Sequence, residues 1–430
     1  LLDLLHIGSF SRLPFLRAFF TLFSLCIFSL SFNSFNLHSC FAAATANNKK
    51  IEPASVIIED NKVFQNDLTG IRLSGTTPVI IKSCEVSENG RAGILIRKKV
   101  RVNIYDTTIY ENGRGGIDVI NADLLEINRI RVFKNAMGGI RLQKQRGENT
   151  VAVSIENSTI FSNMEAGLRS MPLPKTGVGK VELVLNNNKI YQNDKAGIRV
   201  ENRTWLLAKN NNVYNNGTAG IIAHDSEIVP EIDIYRNRIS GNIGPGIHIY
   251  TGKNGKMGIS NNYIYNNERS GVICALRDTA VSRLIDIDVV NNTIVGNGSV
   301  DQGAGVRNDS NGKVRIYNNI IAYNYVTGIR TKGCGDFGNN LLYANGHVAN
   351  CCEDPEFAPF YIEKVQFAGC AGRGPGGLIA DPLFVNADVY NFDLQPSSPA
   401  LHRGLDIWAK GKDEHQIYDI GATGDHYIVR

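Results

Sequence analysis

The sequence has little charge imbalance, one long apolar run and few residues of the kinds that soft metals prefer. Lys and Arg exceed Asp and Glu by 45 to 41, a formal net charge of +4, so nothing at that level calls for nucleic acid or a membrane surface as a partner. Eight His and four Met in 430 residues leave no His- or Met-rich tract for a metal centre. The eight Cys include no Cys-x-x-Cys pair, which argues against a structural zinc site. Beyond residues 18–32, no run is long enough to cross a bilayer. Leucines at fixed offsets, which a leucine-rich repeat needs, are also missing, and the corresponding slots hold Ile and Val with Asn and Gly between them.

What the chain does contain is one short phrase, rewritten many times. It runs from Asn66 to Gly70-Ile71, and returns as Asn89 to Gly93-Ile94, Asn112 to Gly116-Ile117, Asn135 to Gly139-Ile140, Asn163 to Gly167-Leu168 and Asn193 to Gly197-Ile198. Later copies end at Gly220-Ile221, Gly246-Ile247, Gly271-Val272, Gly305-Val306 and Gly328-Ile329. The first three intervals between these glycines are 23 residues each. A unit of this size cannot bury its apolar side alone and must stack on its neighbours, which gives a solenoid.

Ahead of each Asn stands an alternating β-rich run, such as Val79-Ile80-Ile81, Ile232-Asp233-Ile234 or Val314-Arg315-Ile316. A second short run follows, as at Ile109-Tyr110 or Ile190-Tyr191, and a third opens at the Gly-Ile pair. Three short strands per turn predict an all-β fold, a right-handed parallel β-helix of about 12 coils. Stacked Asn61, Asn188, Asn237, Asn262, Asn292 and Asn319, with the later Asn of each unit, are expected to satisfy turn backbone groups from coil to coil.

The organisation reads as a signal peptide over 1–46, β-helix repeats over 47–345 and a loop-rich C-terminal cap segment over 346–430. Arg12 and Arg17 precede the apolar run, and Ala42 to Ala46 supply small residues for cleavage. An uncleaved anchor is the alternative. The expected location is therefore secreted, periplasmic or at the cell surface, with no stable membrane insertion after cleavage. Cys334, Cys351, Cys352 and Cys370 crowd into the end of the chain as disulfide candidates, whereas Cys84 and Cys274 read as free packing residues. Gln143 to Thr150, Met171 to Lys180, Arg203 to Lys209, Thr251 to Lys256, Asp278 to Leu284 and Gly298 to Gln302 read as loops leaving the solenoid.

The tail carries a series of short motifs, Asp381-Pro-Leu-Phe384, Asn391-Phe-Asp-Leu394, Pro396 to Ala400 and Asp419-Ile-Gly-Ala422. With the repeats, these resemble the secreted bacterial right-handed parallel β-helix repeat proteins. The resemblance implies that fold over about 370 residues. It also implies a neighbourhood of polysaccharide lyases, alginate-type C5-epimerases and the periplasmic copper-site maturation protein of nitrous oxide reductase. The Asp-Pro pairs here, Asp354-Pro355 and Asp381-Pro382, lack the His of the epimerase motif.

If Gly opens the third strand, the next residue points inward and the one after points outward. The inward slot is aliphatic throughout, and Arg72, Arg141, Arg169, Arg199, Arg307 and Arg330 fill six of eleven outward slots. Stacked like charges suggest an anionic ligand, and guanidinium forks suit the carboxylates of an extended polyuronate. The bland reading is a solvated face, paired with Glu165, Glu201 and other local acids. One patch gathers chemistry: Glu201, His224 and Tyr250 on successive coils, beside Arg199, Asp225 and His248. Here His224 is the candidate base for the C5 proton of a uronate, Asp225 or Glu201 its orienting group, Arg199 with His248 the neutraliser of the sugar carboxylate, and Tyr250 the acid.

The expected activity is that of a polysaccharide lyase or C5-epimerase acting on acidic polysaccharide. A non-catalytic carbohydrate-binding or surface-structural β-helix is the alternative, with a copper-site maturation factor behind it. No cofactor or metal ligand set is assigned, with Ca2+ the one ion left open, and the protein is expected to be a monomer.

Overall fold

The computed structural model describes residues 55–120, 122–143, 150–171, 180–225, 231–251, 255–276, 285–299, 303–309, 313–332, 336–346, 367–369, 374–405 and 419–422. Strands and the turns between them make up nearly all of these, and among the described residues helix is limited to one 3-10 turn, Ala387–Val389. The parallel β-helix expected from the repeats is what the chain forms. The leader, and the four cysteines Cys334, Cys351, Cys352 and Cys370, lie outside the described residues. No described helix is long and apolar enough to cross a membrane.

The chain falls into two compact units, residues 1–183 and 184–430. In the first, three parallel sheets run side by side, each built from the same strand of successive coils. The first sheet runs from Val56–Glu59 to Val151–Glu156, the second from Lys62–Phe64 to Thr159–Phe161, and the third from Ile71–Ser74 to Leu168–Ser170. Register is in phase from coil to coil: Val79 pairs with Val102, Ile94 with Ile117 and Ile117 with Ile140. A slip of one residue would turn every aliphatic side chain outward.

The second unit repeats the plan. Its first sheet runs from Thr204–Lys209 to Asp336–Gly338, its second from Lys189–Tyr191 to Leu341–Tyr343, and its third from Ile198–Glu201 through Thr327–Thr331 to Phe367–Gly369. The stretch from Arg203 to Lys209, expected to be a loop, is instead a strand from Thr204. Thr204, Leu206 and Ala208 alternate inward and are buried, while Trp205 between them is exposed. The charged and aromatic outer residues hid a period-two pattern.

Corners are held by two amide ladders. In the second unit, Asn193, Asn216, Asn242, Asn267, Asn297, Asn324 and Asn345 occupy one corner of successive coils. Each Nδ2 and backbone N–H donates to the Oδ1 of the next, as in Asn216 to Asn242 at 3.0 Å by both routes. Asn188, Asn211, Asn237, Asn262, Asn292, Asn319 and Asn340 do the same at the preceding corner. In the first unit that corner is mixed: Asn61, Cys84, Thr107, Ile130 and Ser158, with the Thr107 and Ser158 hydroxyls accepting from the backbone N–H below. Cys84 and Cys274 are free and buried. The glycine opening each third strand is needed for close approach: a Cβ on Gly220 would lie 2.7 Å from the Gly246 carbonyl oxygen.

The C-terminal segment packs along the flank of the second unit. Leu378–Ile379 adds to the end of the second sheet, and a hairpin of Phe384–Asn386 and Asn391–Leu394 lies over that sheet's outer face. Phe384, Phe392, Ala400 and Ile420 cover Val295, Ile320, Ala322 and Leu341. Arg238 donates to the Tyr390 carbonyl at 3.2 Å, and Asn318 exchanges two bonds with the Leu405 backbone.

Candidate functional site

The hydrogen-bonded register of the third sheet in the second unit sets the candidate site. Glu201, His224 and Tyr250 stand opposite one another on three consecutive strands, and Arg199, Ile222 and His248 form the neighbouring column two residues earlier. Alternation forces both columns outward, because Ile198 and Val200, Ile221 and Ala223, Ile247 and Ile249 are buried between them. Rungs about 4.8 Å apart then bring side chains of distant sequence within reach of one ligand.

The rings of His224 and Tyr250 are 4.9 Å apart and tilted by 41°, and His248 meets the Tyr250 ring edge-on at 6.2 Å. Arg199 donates from Nε to Glu201 Oε1 at 2.6 Å. Its guanidinium has no other partner among the described residues, so its outer edge is open to an anion. Burial holds the His248 pKa below the ordinary value, and the nearby His224 and Arg307 push it the same way against Asp309. His248 is therefore neutral at pH 7, a hydrogen-bonding group rather than a cation. Asp225 continues the His224 strand, opposite Thr251 in register, and its side chain lies outside the described residues.

Behind His224, on the buried side of the sheet, Val200, Asn202, Thr204, Ala223, Ile232 and Met257 border a packing gap with no room for a water molecule. Ala223 leaves this gap, since the same slot holds Val200 one coil before and Ile249 one coil after. Asn202 and Thr204 border the same gap. They arrive because the chain turns there, with the Thr204 hydroxyl donating to the Glu201 carbonyl at 3.0 Å.

The arginine ladder does not present a uniform cationic face. In the first unit Arg141 is 6% exposed and Asp118 8%, with Nε 3.7 Å from Oδ1, and Arg169 lies 3.9 Å from Glu165. In the second, Arg307 pairs with Asp309 at 2.7 Å. Arg72 and Arg330 have no acidic partner among the described residues. Among the described residues no three His, Cys, Asp or Glu are grouped to hold a metal ion.

Comparison with known proteins agrees with this architecture. A family model described as right handed beta helix region matches residues 42–204, 155–294 and 196–374. No curated protein sequence matches the chain. Among solved structures, a pectate lyase, Pel9A, aligns over 87% of this chain and 89% of its own at 13% identity and a TM-score of 0.48. The A-module of an Azotobacter vinelandii mannuronan C-5 epimerase aligns over 77% and 91% at 15% identity, TM-score 0.45. A double mutant of the periplasmic alginate epimerase AlgG aligns over 75% and 85% at 14% identity, TM-score 0.41. These likenesses concern the fold.

Proposed function

The chain belongs to the right-handed β-helix family, and on that premise we propose that it acts outside the cytoplasm on an acidic polysaccharide. The polymer lies against the third sheet of the second unit, where a uronate residue loses its C5 proton. The observation that carries this reading is the alignment of Glu201, His224 and Tyr250 on consecutive rungs, with Arg199 and His248 in the adjacent column.

The C5 proton becomes acidic when the neighbouring carboxylate is neutralised. Arg199 supplies that charge through the edge of its guanidinium that Glu201 does not use, and neutral His248 adds a hydrogen bond. His224 takes the proton, since imidazole is the side chain suited to proton transfer near neutral pH. Tyr250 is the proton donor. The acid-paired Arg141, Arg169 and Arg307 supply little to the groove, which leaves the cationic contacts local to the patch.

A non-catalytic carbohydrate-binding role is the second reading, and the Arg199–Glu201 ion pair favours it, because it satisfies the one cation the chemistry requires. Incubation with polymannuronate, polyguluronate and polygalacturonate separates the two, with ultraviolet absorbance reporting elimination and proton NMR reporting inversion at C5. Turnover by the wild type that disappears in His224→Ala supports the enzyme. Binding of these polymers without turnover leaves the binding role, and neither binding nor turnover defeats both.

A further inference from the structure

Resting on that reading, we infer that the site is a syn-eliminating lyase for mannuronate- or glucuronate-type residues and does not epimerise. The argument is stereochemical. His224 and Tyr250 project from adjacent strands of one sheet, both from its outer face, with rings 4.9 Å apart. A sugar lying on that face meets base and acid from the same side of its ring. Nothing in this column reaches over the sugar to its opposite side, since Glu201, His224 and Tyr250 all rise from the same sheet.

Which uronates can react then follows from their configuration. In mannuronate and glucuronate the C5 hydrogen and the C4 oxygen lie on the same ring face, so one side chain can take the proton while its neighbour protonates the departing oxygen. In galacturonate and guluronate they lie on opposite faces, and elimination requires base and acid on opposite sides. Epimerisation likewise requires a proton delivered to the face opposite the one it left.

The step balances without a further reactant. A His224 ring nitrogen takes the C5 proton, and that electron pair becomes the C4–C5 double bond. The C4–O4 bond breaks, and O4 of the departing sugar takes the Tyr250 hydroxyl proton. An imidazolium and a phenolate remain side by side, and proton transfer between them, directly or through water, restores both groups.

The test uses the full chain with four polymers: polymannuronate, polyglucuronate, polyguluronate and polygalacturonate. The expected result is unsaturated product from one or both of the first two, at least ~100-fold faster than from the last two, with no inversion at C5. In heavy water, Tyr250→Phe is expected to lose elimination yet still exchange the C5 hydrogen for deuterium, while His224→Gln loses both. Melting curves of the variants establish that they fold. Elimination from polyguluronate or polygalacturonate at an equal or greater rate, or any inversion at C5, overturns the syn assignment while leaving proton abstraction in place. If none of the four polymers shows turnover or C5 exchange, proton abstraction and the syn assignment both fall.

Discussion

Arg199 donates from Nε to Glu201 Oε1 at 2.6 Å, two residues along one strand and on the same face. The acid therefore competes with any anionic ligand for the guanidinium. Replacing Glu201 by Gln is expected to tighten binding of polyuronate several-fold at low salt. Arg199→Ala is expected to weaken it by about tenfold, the modest end for a charge-assisted bond at a part-exposed group. Affinity electrophoresis in gels containing the polymer, at two salt concentrations, measures both. If neither substitution moves the affinity, Arg199 does not contact the ligand.

His248 gives a pH signature. Its pKa is lowered by burial, with His224 and Arg307 adding to the effect and Asp309 opposing it. As pH falls through the ordinary value of 6.5, the unfolded chain takes up a proton that the folded chain still refuses. Stability contributed by neutral His248 is thus present above that pH and declines below it, until the lower folded pKa is reached. His248→Leu should flatten this part of the acid limb in urea melts run from pH 7.5 to 5. An unchanged slope would mean that His248 is not the group responsible.

The fold was legible because two devices repeat in sequence as well as in space: the Gly-Ile pair that opens each third strand, and the Asn that ends each second one. Even in a corner where Cys84, Thr107, Ile130 and Ser158 replace Asn, the Thr107 and Ser158 hydroxyls accept from the N–H below, so the fold tolerates the substitutions that blur the ladder in the sequence. The columns of the site were legible for the same reason, since register follows from the repeat. Burial on the outer face was not: Arg141 stands opposite Asp118 and Arg315 opposite Asp288 in register, yet that Asp118, Arg141 and Asp288 are buried there does not follow from strand periodicity. The path of the tail left a signal in the outward slots of the second strands. Ile320 and Leu341 are apolar where the first unit has Lys62, Glu85, Thr108 and Arg131.

The amide ladder should be cooperative. Asn242 is fully buried, accepts two bonds from Asn216 and donates to Asn267 and to two carbonyls. Asn242→Leu strands the donors of Asn216 inside the corner, at a cost of about 1–3 kcal/mol for each unsatisfied group. Denaturant unfolding monitored by circular dichroism is expected to show a large drop in midpoint. Asn→Ser at the same place should do less harm, because a hydroxyl can accept from the N–H below, as those of Thr107 and Ser158 do at the preceding corner. Equal losses for Leu and Ser would show that hydrogen bonding is not what the position supplies.

The tail is held chiefly by Phe392, which is 2% exposed and packs against Phe384, Tyr263 and Tyr265. Phe392→Ala is expected to cost about 3–5 kcal/mol of local stability and to release the hairpin before the coils. Limited proteolysis would then cut first between 380 and 405. Cleavage rates equal to the wild type in that stretch would place the anchor elsewhere.

Asp288 and Arg315 face one another on adjacent strands of the first sheet, with Nε and Nη2 of the arginine donating to the two carboxylate oxygens at 2.5 and 2.7 Å. Asp288 is 5% exposed. Its burial pushes the carboxyl pKa up, and Arg315 pulls it back. Removing the arginine leaves burial, with Asp286 adding to it and Lys256 opposing it. Arg315→Met should therefore destabilise the protein by about 3–5 kcal/mol near pH 7, where an unpaired buried carboxylate must be kept ionised or take a proton. The sign of the pH dependence follows from that raised pKa. Below the unfolded value near 3.8 the carboxyl is neutral in both states, and the variant loses only packing; as pH rises toward the folded pKa the unfolded chain ionises first and stability falls. The gap between wild type and Arg315→Met should consequently widen from pH 4 to pH 7 in urea titrations. The double variant Asp288→Leu with Arg315→Met should recover most of the loss, since neither charge is then buried. A gap that is constant with pH, or a double variant no better than the single one, would locate the cost in packing rather than in the lost ion pair.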